Sequence, residues 1–299
     1  MRYSIYHETA YEYARDVLHA HHLLHLIPRP APFQQCLEHT ISVNPATFRR
    51  RDEIDAFGNA LTRIEVEHPH RRLEVVTQMK VDVHRRPKVF AAHSMSWEET
   101  CADLAYHGLW PRRENLEACR FRHESPYVRV KQEYTDYAAE CFPAGGPILA
   151  CAEALMVKLH QDMKYARGET TVRTPLREVL KKRRGVCQDF AHLMIACLRS
   201  RGLAARYVSG YLRVRSASSS ASEPSPAIGG GASHAWVAVY APPFGWLEFD
   251  PTNNVFVNTD HVAVAWGRDF GDVSPLHGVI VGGGAHELSV RVTVEPVTQ

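Results

Sequence analysis

The chain has 299 residues, of which 45% are hydrophobic and 23% are charged. These fractions are typical of globular proteins, so they exclude wholesale disorder and a collagen-like structure. The 35 basic and 33 acidic side chains leave a formal net charge of +2 with histidine neutral, whereas a protein that coats nucleic acid needs a clear basic excess. At roughly 150 residues per domain, the length predicts two domains or one large one.

The sequence also predicts where the protein is found. It contains no run of about 18 apolar residues, so we expect no helix that crosses a membrane. The first residues interleave charged and aromatic side chains and lack the apolar stretch of a secretory signal. The seven cysteines are an odd number without a Cys-x-x-Cys pair, which favours reduced thiols over a disulfide framework. Together these observations predict a cytoplasmic protein that binds neither membrane nor nucleic acid.

Residues 1–85 have the pattern of a β-rich N-terminal domain. Hydrophobic and polar residues alternate in several short stretches, the first two being Tyr3–His7 and Val17–Ile27. Turn sequences such as Pro28–Pro32 and Asp55–Asn59 separate the later ones. Strands at this spacing predict a small sandwich. Residues 86–145 show no clear period, and we interpret them as a connecting region with one helix near Val128–Cys141.

Residues 146–299 are predicted to form a second unit, which begins with helices. Across Ile148–Leu159, hydrophobic residues recur every three or four positions, the spacing of one buried helix face. Another amphipathic helix is predicted over Cys187–Arg201, ending at Gly202, and strand-like segments follow it. The segment 216–231 is rich in serine and glycine and too poor in large apolar side chains to pack, so we predict a mobile loop there.

Cys187 stands at the predicted start of this second helix. The first N–H groups of a helix have no partner within it, and the helix dipole is positive there, so a thiolate is favoured over a thiol. The same N–H groups can bind the oxyanion that forms when a carbonyl is attacked. The basic run Lys181–Arg184 just upstream either adds to this positive field or is a solvated helix end.

His234 and Asp250 are candidate partners for that thiol. His234 begins a strand after the serine- and glycine-rich segment, and Asp250 ends the next strand before a proline. Adjacent strands joined by a short turn place such ends side by side, so Asp250 can orient His234, and His234 can take the proton of Cys187. A nucleophile, a base and an orienting carboxylate are the groups that acyl transfer needs. Gln188 and Asp189, in the first helical turn, are further candidates for lining the site.

Several segments closely resemble the core of bacterial transglutaminase-like proteins: Gly185–His192, Ala205–Leu212, Ser233–Trp236 and Phe249–Asn253. The first 85 residues look like the β-rich domain that precedes this core in the family. Two later segments look like the family's C-terminal signature, namely Asp260–His261 and Gly267–Pro275. The resemblance therefore extends over nearly the whole chain.

This resemblance implies an α+β, papain-like fold in which the helix bearing the cysteine packs on an antiparallel sheet. It implies that Cys187 is the nucleophile, that His234 acts as general base and then as general acid, and that Asp250 orients the imidazole. It implies neither a cofactor nor a metal, and its partner would be a peptide or protein substrate.

The resemblance does not choose the reaction, because the fold family contains crosslinking enzymes, peptidases, amidases and inactive proteins. In every active case the thiolate attacks an amide carbonyl and forms a thioester, which water hydrolyses or an amine captures. The sequence has no D-x-[DN]-x-[DN]-G calcium loop, so we favour a peptidase or amidase over a calcium-switched crosslinker. A protein-glutamine transglutaminase and a non-catalytic binding protein of the same fold are the alternatives.

The other histidines are interpreted as structural. His19, His21 and His25 would lie on one face of a strand and His22 on the opposite face, so they would not converge as metal ligands must. His192 lies five residues beyond the candidate nucleophile, which places it about 140° away around the helix. We therefore predict a packing role for His192.

Overall fold

Two large sheets, one two-stranded sheet and a group of helices make up the described structure. The computed structural model describes residues 1–46, 48–105, 113–214 and 233–297, so the loop predicted at 216–231 lies outside the described residues. The strands are, in chain order, β1 (Arg2–Leu24), β2 (Gln34–Asn44), β3 (Arg49–Ile54), β4 (Ala60–Val66), β5 (His70–Val83), β6 (Lys164–Tyr165), β7 (Arg184–Gly185), β8 (Ala205–Leu212), β9 (His234–Tyr240), β10 (Trp246–Asp250), β11 (Val255–Phe256), β12 (His261–Gly267), β13 (Leu276–Gly282) and β14 (His286–Pro296). The helices are α1 (Trp97–Leu104), α2 (Arg113–Cys119), α3 (Gln132–Tyr137), α4 (Ile148–Asp162), α5 (Leu176–Lys182), α6 (Cys187–Ser200) and α7 (Phe270–Val273).

The N-terminal sheet is organised around β1. Buried and exposed residues alternate along β5 and much of β1, because successive side chains of a strand point to opposite faces. β1 is a single strand of 23 residues where the sequence indicated two, and its register with β5 shifts between Glu12 and Val17, as at a β-bulge. The strands join one hydrogen-bonded sheet in the order β2-β5-β1-β4-β3, not the two layers of the predicted sandwich.

The last two strands return to the N-terminal sheet. β14 pairs with the first half of β1, from Tyr3 to Tyr13, and β13 pairs with its second half. The division of the chain into 1–85, 86–145 and 146–299 stays a prediction. The structure shows, however, that β13 and β14 extend the N-terminal sheet and do not join the sheet that follows α6.

Helices fill the middle of the chain. The hydrophobic stripe predicted on α4 is buried, and α3 lies within the helix expected near Val128–Cys141. α1 was not predicted, although its start has a capping box: the Ser96 hydroxyl accepts the N–H of Glu99, whose carboxylate accepts the N–H of Ser96. Within the described ranges, no helix is both long enough and apolar enough to cross a membrane.

The core unit consists of α6 packed on a five-stranded antiparallel sheet of order β11-β10-β9-β8-β12. Every residue of β8 and β9 is buried, so both faces of this part of the sheet are covered. α6 contributes Phe190, Leu193 and Met194 to the same hydrophobic core. A cysteine-bearing helix on an antiparallel sheet, preceded by a β-rich region, is the α+β fold that was predicted.

Two buried amide side chains join the N-terminal sheet to the core. The Gln34 amide bonds both backbone groups of Ala263, at 2.8 and 2.7 Å, and the Asn59 amide bonds both backbone groups of Trp266, at 3.0 and 2.9 Å. Ala263 and Trp266 belong to β12, the edge strand of the core sheet. These two side-chain amides form hydrogen bonds with backbone N–H and C=O groups that an edge strand otherwise leaves without a partner. Arg29 adds a cation–π contact, 3.2 Å above the Trp266 ring.

Candidate active site

Cys187 is the first residue of α6, and one residue, Val186, separates it from β7. The Asp189 carboxylate accepts the backbone N–H of Val186 at 2.8 Å and the Thr170 hydroxyl at 2.7 Å. A Cβ atom on Gly185 would lie 2.5 Å from this carboxylate, so the position requires glycine. Burial raises the pKa of Asp189, and these two hydrogen bonds act against that rise. Asp189 therefore holds the helix start in place and does not line the site.

His234 and Asp250 meet at neighbouring ends of β9 and β10. The two strands pair antiparallel, so the first residue of β9 comes beside the last residue of β10. Nε2 of His234 donates a hydrogen bond to Oδ2 of Asp250 at 2.8 Å, because an ionised carboxylate can only accept, and both side chains are fully buried. The other ring nitrogen, Nδ1, is buried and has no oxygen or nitrogen partner within the described part of the chain.

Cys187 and His234 line the same cavity, which has a volume of about 320 Å³. Gln188, Tyr207 and Phe270 also line it. Cys187 is partly exposed, so its sulfur is open to a molecule in the cavity. Burial, followed by the charge of Cys187, raises the pKa of Tyr207 well above its ordinary value, so the hydroxyl stays a hydrogen-bond donor. The structure thus brings Cys187, His234 and the carboxylate behind His234 together.

His234 and Asp250 each stabilise the charged form of the other. Burial by itself lowers the pKa of His234, but the charge and hydrogen bond of Asp250, together with Cys187, outweigh burial and raise this pKa to about 10. Burial would raise the pKa of Asp250, but His234 and His261 hold that pKa well below its ordinary range. His234 is therefore cationic and Asp250 anionic at neutral pH, and a thiolate at Cys187 would continue this alternation of charge.

Asp250 has more partners than the sequence predicted. Its Oδ2 also accepts Nε2–H of His261 at 3.2 Å and the side-chain amide of Asn253 at 2.8 Å. Its Oδ1 accepts the backbone N–H groups of Thr252 and Asn253, at 3.0 and 3.2 Å. Together with His234, these donors fix both oxygens of the carboxylate.

His261 is the site residue that the sequence reasoning missed. It begins β12, which is separated from β9 by β8 in the sheet, so its place beside Asp250 depends on the sheet order and not on sequence spacing. Its ring is buried and packs edge-on against Trp236, with centroids 5.3 Å apart. The sequence pointed to His261 only through the Asp260–His261 pair of the C-terminal signature, and that pair by itself does not indicate a role for the histidine.

The same three residues form a possible metal-binding set. One ring nitrogen from His234, one from His261 and an oxygen of Asp250 lie within 4.8 Å of one another, and this is the one group of three such residues among those the structure describes. However, both imidazoles donate N–H to the carboxylate, and a nitrogen that carries a proton cannot bind a metal. The donor set is satisfied internally and fits a hydrogen-bonded group.

His192 packs behind the cavity, as predicted. The backbone N–H of Phe270 donates to Nε2 of His192 at 3.1 Å, and the His192 ring stacks on Tyr127 with centroids 5.8 Å apart. Burial, aided by the charge of Arg199, lowers the pKa of His192 to about 3. His192 is therefore neutral and accepts a hydrogen bond that positions Phe270 at the cavity wall.

The clustered histidines at the end of β1 have separate environments. His19 and His21 are exposed, and His22 is buried on the opposite face, as predicted. The prediction that His25 shares the exposed face was wrong, because β1 ends before it and His25 turns inward to contact Asp55 at 3.2 Å.

The basic run Lys181–Arg184 has the properties of a solvated helix end. Three of its side chains form surface ion pairs: Lys182 with Glu178, Arg183 with Asp162, and Arg184 with Glu169. These contacts are typical of a solvated helix end, the second of the two interpretations of the run.

Two family models match the chain. The model described as the bacterial transglutaminase-like N-terminal region matches residues 3–82, which contain the first five strands up to Asp82. The model described as the transglutaminase-like superfamily matches residues 136–251, which contain Cys187, His234 and Asp250.

Relatives and a solved structure agree with these matches. An uncharacterized protein of Mycobacterium tuberculosis is 34% identical over 306 residues, covering 99% of this chain and 93% of the relative. An uncharacterized protein of Mycobacterium leprae is 30% identical over 301 residues, covering 98% of each. A crystal structure from Cytophaga hutchinsonii, provisionally described as a cysteine protease, aligns with a TM-score of 0.71 at 18% identity, covering 100% of this chain and 92% of that one.

The fold and site together define a papain-like protein with a cysteine at the start of its central helix. At 18% identity the structural neighbour shows the fold alone, whereas the mycobacterial relatives match almost the full length. The chain belongs to the transglutaminase-like superfamily and has the β-rich N-terminal region found in its bacterial members.

Proposed function

We propose that the protein is a cysteine-dependent acyl-transfer enzyme that acts on amide bonds of peptides or proteins, and that its main reaction is hydrolysis. The observation that carries this proposal is the buried His234–Asp250 pair, whose imidazole lines the same cavity as Cys187. A hydrogen bond with Cys187 contributes to the raised pKa of His234. Because Asp250 holds Nε2, Nδ1 is the nitrogen that can exchange a proton with the thiol.

In the first half of the reaction, the Cys187 thiolate attacks the amide carbonyl carbon and a C–S bond forms. The carbonyl oxygen becomes an oxyanion next to the first N–H groups of α6, which have no carbonyl one turn earlier to bond. The Tyr207 hydroxyl, kept protonated in the cavity wall, is a second donor for this oxyanion. The C–N bond then breaks, and Nδ1–H of His234 gives its proton to the leaving amine.

In the second half, water replaces the amine. Nδ1 of His234 takes a proton from the water, whose oxygen attacks the thioester carbonyl. The C–S bond breaks, the carboxylic acid leaves, and Cys187 is again a thiolate paired with protonated His234. Asp250 keeps Nε2 protonated throughout, so the imidazole always presents Nδ1 to the reaction.

Two other functions use the same fold. A protein-glutamine transglutaminase would pass the acyl group to an amine in place of water. A non-catalytic binding protein would retain the fold without turnover, but it would have no need for the three charged and reactive groups that converge here.

The proposal is tested with a peptide library assayed with and without a labelled primary amine. We expect new carboxyl ends in both conditions, whereas incorporation of the amine as the main product would favour the transglutaminase. Cys187→Ala should abolish turnover and leave the thermal unfolding temperature close to that of the wild type. Cys36→Ala, which removes another partly exposed thiol, is the matched control and should retain activity. Turnover by Cys187→Ala would overturn the assignment of the nucleophile.

A cytoplasmic location is part of the proposal. All seven cysteines are free thiols in the structure, as suits a reducing compartment. Recovery of the protein from a periplasmic or secreted fraction would contradict this part.

A further inference from the structure

A second cavity, of about 550 Å³, lies beside the candidate active site. It forms where residues 126–134 meet residues 172–177, and we call it the basic groove. Four basic side chains line it, namely Arg129, Lys131, Arg173 and Arg177, together with the single acidic side chain Glu133. All four basic residues are exposed.

The positive charge of the basic groove is only partly neutralised. Arg177 contacts Glu133 at 3.5 Å, and its side chain remains 82% exposed. Arg129 contacts Glu124, also at 3.5 Å, from a side chain that is 57% exposed. Lys131 and Arg173 form no ion pair with any residue that the structure describes. Exposed pairs of this length are weak, so the groove attracts anions at neutral pH.

One aromatic pair separates the basic groove from the active-site cavity. Tyr127 lines the groove, Phe270 lines the cavity that holds Cys187, and the two rings pack edge-on with centroids 6.3 Å apart. The backbone N–H of Tyr127 is bonded to the Asp269 carboxylate at 2.9 Å, which fixes this partition. The basic groove and the active-site cavity are therefore neighbours across this aromatic pair, within reach of one extended peptide.

We propose that the basic groove binds an acidic segment of a peptide or protein substrate, next to the amide bond presented to Cys187. The inference rests on the proposed acyl-transfer function and adds the class of substrate. Complementary charge of this kind selects partners and speeds their association, and salt screens it because the groove is open to solvent.

Binding is measured on the full chain carrying Cys187→Ala, so that no probe is consumed. The probe is a short fluorescein-labelled peptide of alternating Glu and Ala, and its counterpart has Gln in place of Glu. We expect the acidic probe to bind more tightly and to weaken as salt is raised. The double variant Lys131→Gln/Arg173→Gln should weaken this binding by about fivefold to twentyfold, the effect of losing two exposed charge contacts.

The matched control is the double variant Arg85→Gln/Lys88→Gln. It removes one arginine and one lysine that are also exposed and form no ion pair within the described ranges, so the change in net charge is identical. We expect it to leave binding of the acidic probe within about twofold of the value for Cys187→Ala alone, allowing for long-range charge effects.

Three results would overturn the basic groove as a substrate site: equal binding of the acidic and Gln probes, equal weakening by the two double variants, or tighter and groove-dependent binding of a single-stranded oligothymidine. The last would identify nucleic acid as the occupant. Failure of the acyl-transfer function is seen separately. If the acidic probe binds through Lys131 and Arg173 but the wild type cleaves no peptide, the groove stands and the proposed reaction falls.

Discussion

Replacing Asp250 by asparagine would remove the orienting charge while keeping the shape of the side chain. The asparagine oxygen can replace Oδ1, which accepts two backbone N–H groups. Its amide nitrogen would then face three N–H donors, from His234, His261 and Asn253. Two N–H donors cannot form a hydrogen bond with each other, so His234 would lose its Nε2 proton and accept a hydrogen bond from the asparagine amide. The remaining Nδ1–H could not accept the proton of Cys187.

The size of the effect follows from the environment of His234. Asp250 is the main cause that raises the pKa of His234 to about 10. Without Asp250, burial opposes the protonated ring with only Cys187 to counter it, so the pKa of His234 falls towards the ordinary value of about 6.5, a loss of roughly 3.5 units or about 5 kcal/mol. The cation that pairs with the thiolate would then be absent at neutral pH. We expect turnover to fall on the order of 10³- to 10⁴-fold, as when an orienting carboxylate is lost from other triads.

The assay for Asp250→Asn needs no substrate. Alkylation of Cys187 by iodoacetamide is followed by peptide mapping across a range of pH in wild type and variant. We expect alkylation near neutral pH to slow by about tenfold or more in the variant, because the sulfur loses the cationic imidazole beside it. Cys36, on β2, serves as the internal control and should react equally in both proteins. An unchanged rate and pH profile for Cys187 would refute the charge pairing described here.

Catalysis should decline only at high pH, because the raised pKa of His234 keeps the imidazole protonated below about pH 10. A fall of kcat/KM that begins near pH 7 would contradict the pairing of His234 with Asp250. His261→Gln, which keeps an N–H donor for Asp250, should retain more activity than His261→Ala, and the alanine variant should lose about 1.5–3 kcal/mol in urea unfolding. Equal rates and stabilities for the two variants would show that the donor is not needed. Asn59→Ala should lower the free energy of unfolding by about 2–4 kcal/mol, because it leaves the N–H and C=O of Trp266 unpaired, and an unchanged urea midpoint would rule this out.

Local patterns predicted most of the elements but not how the sheets are assembled. The periods of α4 and α6, and the alternation in the first 85 residues, are properties of neighbouring residues and were read correctly. The sequence did not show that two predicted strands join into the single strand β1, because the irregularity between Glu12 and Val17 interrupts the alternation without ending the strand. The pairing of β14 with β1 could not be predicted, since no local pattern reports which distant strand a given strand joins.

In the candidate site, too, local patterns predicted the residues whose positions depend on nearby sequence and missed those brought in by distant strands. Cys187 was found from its helix start, and His234 and Asp250 from the ends of consecutive strands, which are short-range features. His261 was missed because it reaches Asp250 from a strand that lies three places away in the sheet. The basic groove was missed for a related reason: its charged residues come from two separate segments whose contact depends on the tertiary fold.

The return of β14 to β1 has a consequence for biosynthesis. Tyr3 pairs with Pro296, roughly 290 residues later in the chain. At a synthesis rate of about 5–20 residues per second, one edge of β1 would wait on the order of 15–60 s on the ribosome before its partner strand exists. During that time the exposed edge can pair with other chains. The N-terminal sheet is thus completed only after a strand far along the chain has been translated, and until then β1 depends on its other neighbours for pairing.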